Sequence, residues 1–559
     1  MTPLNATTAD DNTSHPYDQI LVDITSYVFN YEICSPKAFE RAKIALLDAL
    51  GCAFETLKQS PEARLPTATA VAGAMTPVLE SPAYAKQPLD TRENIHTASA
   101  MTYSHQSLDG LKEITKPLSA VNGIPYHDVS HDQCEERKHP DDPPSGEIFV
   151  EAFPPGKTPH PSPYISYIIP YTEACANHID ETFHTTCVYI LASGTLSKKT
   201  DDLPSLRHAI NKQLGEDSVV GIRRGVKPHT YYSDILQIVQ EAKDANANCL
   251  ATLGGGSLTD AAKVVALALA NNATTLDELE TLYFDSPTLR NPLLPATVPI
   301  ICIPTSLSAG EYTPLAGATK DITHHKHSFQ HPTVGPRLII LSPQLTTTTP
   351  LHIWLSTGIR AVDHCVESIC SIKTSAEGDA IAEKGLRRLL PGLLTTKMNP
   401  NELTSRLACQ LGAIDAISAP LNRVPMGASH GIGHQLGPLG VGHGETSCVL
   451  LPAVCKYNER VNAEQQRRVL DILWSEEAVM SVLRSAGVER EKSDLGDALD
   501  ALFKALGMPR TLDEVGIARD RFESLAVGSL DDRWCKTNPI PLTRREQVLE
   551  ILEMCVKER

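Results

Sequence analysis

The sequence has no CxxC pair and no small-domain cysteine framework. Its 14 cysteines are scattered, which suits reduced thiols in a cytoplasmic protein. It also lacks any block of Lys and Arg, and its formal net charge is -17. Nothing there neutralises a phosphate backbone, so a nucleic-acid partner is excluded and an anionic ligand must be met by a local positive pocket. No uninterrupted apolar run reaches the ~18 residues of a membrane helix. The opening MTPLNATTADDNTSHP is polar and acidic rather than secretory.

What is present suffices for large cores. Of 559 residues 42% are hydrophobic and 21% charged, and at ~150 residues per domain about three domains are expected. Residues 1–16 read as a disordered tail. Between 17 and 58, Ile20, Ile24, Tyr27, Val28 and Tyr31 share one helical face. Ser35 and Pro36 then start a second helix carrying Phe39, Ala42, Leu46 and Leu50. Residues 59–160 show weak periodicity and end in HPDDPPSGEIFVEAFPPGKTPHPSP, a composition that reads as a poorly ordered linker.

From 161 to 350 the character changes. CVYILAS (Cys187–Ser193), SVVGI (Ser218–Ile222), NCLATLGGG (Asn248–Gly256), VPIICIPTS (Val298–Ser306) and RLIILSP (Arg337–Pro343) read as buried strands. Helical patterns over Leu203–Leu214 and Tyr231–Ala247 separate the first three. Strands alternating with helices predict a parallel sheet covered on both faces. Residues 351–559 nearly lack strand signals and read as helical. The expected fold class is therefore α/β followed by all-α, with a shared ligand in the cleft between the halves.

Two stretches carry nucleotide chemistry. In LGGGSLTDAAKVVALALA, from Leu253, a strand runs into three glycines and then a helix. Such a turn lets backbone N–H groups and the helix dipole approach a pyrophosphate, although alone it is only a tight strand-to-helix turn. IPTSLSAGEYTPLAGAT, Ile303–Thr319, follows another strand with small hydroxyl residues. Together they resemble the cofactor half of the iron-containing alcohol dehydrogenase family, whose common forms are GGGSxxDxAK and IPTTxGTGSE. LIILSPQLTTTTPLHIWLSTG and NPIPLTRREQVLEIL are similar to the same family, so the resemblance spans about residues 160–559.

The resemblance implies a dehydroquinate synthase-like fold and an NADH or NADPH cofactor. It places that cofactor at Ser193, Gly254, Gly255, Gly256, Ser257, Asp260, Thr305 and Ser306, with Lys326 matching a family lysine near it. The surrounding HHKH, His324–His327, otherwise reads as a polar loop. Many members carry an aspartate at the position of Ser193, which accepts the ribose hydroxyls and repels the extra phosphate of NADPH. The uncharged serine leaves NADPH admissible. A homodimer is also implied. The segment 17–58, in YDQILVDI, SPKAFERAK and LLDALGC, resembles the opening of the MmgE/PrpD family and reads as a fragment without dehydratase chemistry.

SHGIGHQLGPLGVGHGETS, Ser429–Ser447, raises the question of a metal. In metal-dependent members an Asp and a His four residues apart, with two further histidines, hold the ion. His364, His430 and His443 match the three histidines, and Arg360 stands at the aspartate position. A guanidinium offers donors only and opposes a cation, so no metal is expected. The departure resembles the maleylacetate reductase branch, which lacks that aspartate, uses NADH or NADPH, and reduces maleylacetate to 3-oxoadipate in aromatic catabolism. On this reading Arg360 and His364 face the reacting oxygen and His434 delivers a proton, while Arg360 paired with Asp363 at i+3 is the structural alternative. The substrate is expected to be an anionic unsaturated oxo-dicarboxylate. A metal-dependent alcohol dehydrogenase using His364, His430 and His443 is the nearest alternative, and a non-catalytic fusion protein is the alternative from another class.

Overall fold

The structure, a computed structural model, describes residues 146–154, 158, 160–227 and 230–556. All belong to the second of two compact units, Lys138–Arg559. The helical segment 17–58 likened to MmgE/PrpD and the tail 1–16 lie outside the described residues.

Among the described residues nine strands are formed: β1 Ile148–Glu151, β2 Tyr164–Tyr167, β3 Val188–Ala192, β4 Val219–Arg224, β5 Cys249–Gly254, β6 Ile300–Pro304, β7 Leu315–Thr319, β8 Lys326–Gln330 and β9 Leu338–Ile340. Seven make one sheet in the order β1-β2-β9-β6-β5-β3-β4, and β7 and β8 form a separate hairpin. All sheet pairings are parallel except β1 with β2. β3, β5 and β6 are buried along their whole length, as befits apolar strands covered by helices on both faces. One face packs on α1 Tyr171–Glu181 and α2 Asp202–Leu214, the other on α3 Tyr232–Asp244 and α4 Gly256–Ala270.

The five expected strands and both expected helices are present, with ends shifted by a few residues. Two expectations are corrected. Ile148–Glu151, inside the stretch read as linker, is strand β1. Its four residues are too short to show periodicity between prolines, and its pairing with β2 supplies the order. The HHKH group is not wholly a loop: Lys326 and His327 open β8, where Tyr283 stacks on the His327 ring at 4.2 Å.

Pro350 ends the α/β part and precedes α5, Leu351–Cys370. Around α5 pack α6 Ala376–Met398, α7 Leu403–Leu421, α8 Ala428–Leu436 and α9 His443–Ser475, and no strand occurs among the described residues after Pro350. α5 and α9 cross so closely at Gly444 that an added Cβ would lie 2.4 Å from the Ser356 carbonyl carbon. Glycine is what admits this contact. No helix among the described residues is long and apolar enough to cross a membrane.

Candidate active site

Parallel strands end in one row, and that row carries the nucleotide motifs. Gly254 closes β5 at φ +145°, a conformation that favours glycine, and a Cβ there would meet Leu258 Cδ1 at 2.7 Å and Ser193 Cβ at 3.0 Å. Gly255 precedes the first turn of α4 and lies against Ser306, and Gly256 lies against Ser308. The Thr305 N–H donates to the Gly254 carbonyl at 3.2 Å. The Ser257 carbonyl accepts from Thr230 Oγ1 at 3.3 Å. Ser193, Gly254, Gly255, Gly256, Ser257, Thr305 and Ser306 are thus brought together as a side-chain-poor cradle at a 15-residue helix start, which fits a pyrophosphate. Asp260 sits one turn further on and faces the β7 hairpin: it accepts from the Gly317 N–H at 3.3 Å, and its other oxygen is 3.6 Å from the Lys263 ammonium.

The helical half supplies the charged groups. Arg360, Asp363, His364 and Glu367 lie at i, i+3, i+4 and i+7 of α5 and share one face; all four are buried. Arg360 Nη1 donates to Ser447 Oγ at 3.1 Å and lies 3.7 Å from Asp363 Oδ2. Both readings of Arg360 therefore hold at once: it stands in the histidine cluster and it pairs with Asp363. Asp363 Oδ2 also accepts the hydroxyls of Ser429 at 2.8 Å and Ser447 at 2.5 Å. Glu367 accepts the N–H groups of Gly427 and Ser429, each at 2.9 Å, at the start of α8, and bonds His430 Nδ1 at 2.8 Å.

The His364 and His430 rings lie 4.6 Å apart between centroids. His434 and His443 face each other nearly parallel at 6.4 Å. His434 Nδ1 is 2.8 Å from Asp532 Oδ2; Asp532 also caps the short helix α10, Arg533–Thr537. Lys326, from β8, is close enough for its charge to bear on His443. All five proposed catalytic side chains thus belong to one neighbourhood, with Lys326 reaching it from the cofactor half.

Burial and the Arg360 charge together set the electrostatics of the cluster. His364 and His430 are held well below the ordinary histidine range, first by burial and then by neighbouring imidazoles and the guanidinium. His443, which is exposed, is depressed chiefly by Arg360. Burial pushes both Asp363 and Glu367 up, against the opposing pull of Arg360 and their hydrogen bonds. Burial also lowers Arg360, opposed by Asp363, Glu367 and Asp532, yet guanidinium remains protonated near neutrality.

Sequence reasoning missed Glu367, Asp532, Ser429 and Ser447 as site residues, and it read Asp363 only as a structural partner of Arg360. Asp363 does join the site. Asp363, Glu367 and His430 offer three potential ligand atoms within 4.8 Å of one another. The i+3/i+4 spacing along α5 is the signal that could have found the two carboxylates; no local signal links Asp532 to His434.

Comparison with known proteins agrees with this architecture. The pattern described as iron-containing alcohol dehydrogenase matches residues 169–343, and that of the Fe-containing alcohol dehydrogenase family, C-terminal, matches 354–556. Dehydrogenase ALT3 of Alternaria alternata is 38% identical over 389 residues, covering 66% of this chain and 99% of its own. Dehydrogenase FUM7 of Gibberella moniliformis is 38% identical over 415 residues, covering 70% and 96%. The crystal structure of maleylacetate reductase from Agrobacterium tumefaciens superposes with a TM-score of 0.56 at 21% identity, covering 73% of this chain and 98% of that one. The chain belongs to the iron-containing alcohol dehydrogenase family, with its dehydroquinate synthase-like fold, and is an NAD(P)-dependent oxidoreductase.

Proposed function

We propose that this oxidoreductase works in the reductive direction without a bound metal ion, on an anionic unsaturated oxo-dicarboxylate such as maleylacetate. The observation that carries the reading is the Arg360 guanidinium, buried between Ser447 and Asp363 and beside the histidines. The available donor set fits a divalent ion poorly. Asp363 Oδ2 and the Glu367 carboxylate are taken by hydroxyl, N–H and imidazole partners, and a cation there would face the guanidinium.

The glycine cradle of Gly254, Gly255 and Gly256 would hold a reduced nicotinamide dinucleotide, which would supply hydride to the alkene carbon. As electrons move onto the conjugated carbonyl oxygen, Arg360 offers a fixed positive charge and N–H donors to it, the role of an oxyanion site. Arg360, Lys326 and the imidazole N–H groups give an anionic substrate its positive pocket in an acidic chain. His434, with Nδ1 held by Asp532 and Nε2 protonated from solvent, would give that proton to the adjacent carbon, completing addition of two hydrogens across the double bond.

A second reading has its own observation. Asp363 Oδ1, His364 Nδ1 and His430 Nε2 are buried without hydrogen-bond partners, which is the kind of site a cation can satisfy. That reading makes the protein a metal-dependent alcohol dehydrogenase. Following NADH and NADPH oxidation with maleylacetate and with simple aldehydes separates the two. Turnover of maleylacetate by chelator-treated protein is expected; turnover of aldehydes alone, only after metal addition, would overturn the proposal. No turnover of either would favour the non-catalytic alternative.

A further inference from the structure

β3 is flanked by β4 on one side and β5 on the other. The chain leaves β3 toward the sheet edge and then crosses back to the opposite side. Such a reversal opens a crevice at the carboxyl ends of the strands, where dinucleotides bind. A pyrophosphate held by the glycine cradle would lie beside β5, and its adenosine ribose would then fall over the end of β3, at Ser193, with the end of β4 as its outer wall.

That wall is basic and carries no acid of its own. Ala192 pairs with Arg224, and the Gly225 N–H donates to the Ala192 carbonyl at 2.8 Å. A Cβ added to Gly194 would lie 3.5 Å from Gly225 Cα. Two glycines therefore face each other and leave a notch free of side chains next to Ser193. Adjacent residues of a strand point to opposite faces, and here they have different fates. Arg223 pairs with Asp234 at 2.9 Å and reaches Glu241 at 3.7 Å. Arg224 is exposed and makes no ion pair or side-chain hydrogen bond among the described residues. Lys227 is exposed as well; its ammonium lies 5.8 Å from the Tyr231 ring centroid. Asp234, the partner of Arg223, spends its second oxygen on the Lys227 backbone N–H at 3.1 Å.

We infer that Arg224 and Lys227 form the binding site for a phosphate on the ribose 2′ position, so that the protein selects NADPH over NADH. A phosphate monoester there carries close to two negative charges and three acceptor oxygens, and Arg224 supplies planar paired donors for them. Ser193, uncharged, adds a hydroxyl and no repulsion. NADH offers the rim only a ribose hydroxyl. The inference rests on the cofactor seat and is independent of the metal and substrate readings.

The test is equilibrium binding of NADPH and NADH to the full chain, followed by calorimetry or nicotinamide fluorescence. The expected result is NADPH binding tighter by about tenfold or more, with the preference shrinking as salt rises. Arg224→Gln with Lys227→Gln should weaken NADPH by about tenfold or more while moving NADH less than about threefold. Ser193→Asp should weaken NADPH selectively, and adenosine 2′-monophosphate should compete where adenosine 5′-monophosphate competes less well. Equal affinities in the wild type, or an unchanged ratio in the double variant, would overturn the inference. If neither dinucleotide binds, the cofactor seat itself fails and the inference falls with it, a result distinct from equal binding.

Discussion

Arg360 shows what one residue can change. Its charge, added to burial, pushes three imidazoles toward neutrality, while burial raises the Asp363 and Glu367 carboxyls against its pull. Truncating it by Arg360→Ala should lower kcat on the order of a hundredfold or more while leaving the dinucleotide Kd nearly unchanged, as expected for a partner of transition-state charge. Steady-state kinetics beside a binding titration checks this, and a loss confined to KM would contradict it. On the proposed mechanism Asp532 acts through His434. Asp532→Asn should cost kcat on the order of tenfold, with partial recovery in Asp532→Glu. An unchanged kcat would leave Asp532 as merely the cap of α10. Arg360 and the histidines were legible because one helix face and one short motif carry them. Asp532 was not, since it meets His434 only after a separation of 98 residues along the chain.

Elements set the distances between these groups. α5 holds Arg360 and Asp363, α9 holds Ser447, and their crossing at Gly444 brings Ser447 within reach of both. Gly444→Ala must push backbone apart, and a cost of about 1–3 kcal/mol is expected, with the site loosened at the same time. Thermal unfolding beside kcat reads both effects, and unchanged stability would show that the crossing yields without cost. The buried strands β3, β5, β6 and β9 were legible because parallel strands with both faces covered are apolar throughout. β1, β2, β7 and β8 were not. They are strands of four or five residues, too short to show a period of their own, and pairing supplies their order: β1 with β2, β2 with β9, and β7 with β8.

At the scale of the whole molecule, the chain carries a formal net charge of -17, so on the proposed function an anionic substrate depends on the local charges of Arg360 and Lys326. A chain beginning at Lys138 keeps every described element and should retain reductase activity within about tenfold. Beginning instead at Tyr164 removes β1 and exposes the β2 edge, and a clear fall in melting temperature is expected. Stability should also depend on pH through the raised carboxyls. The folded protein keeps protons on Asp363 and Glu367 to higher pH than the unfolded chain, whose carboxyls titrate near about 4. The folded state therefore binds more protons above that pH, and stability falls as pH rises from there through the raised values. Asp363→Asn should flatten that fall in denaturant titrations at several pH values, and an unaltered slope would remove Asp363 from the account.

The central claim, that a guanidinium stands in for an ion, is tested most directly by elemental analysis of protein dialysed against chelator, assayed in the same preparation. The account predicts well under one equivalent of iron or zinc together with full NAD(P)H-dependent reduction of maleylacetate. Stoichiometric metal whose removal abolishes turnover and whose return restores it would contradict the account and assign Asp363, Glu367 and the histidines to a metal centre instead.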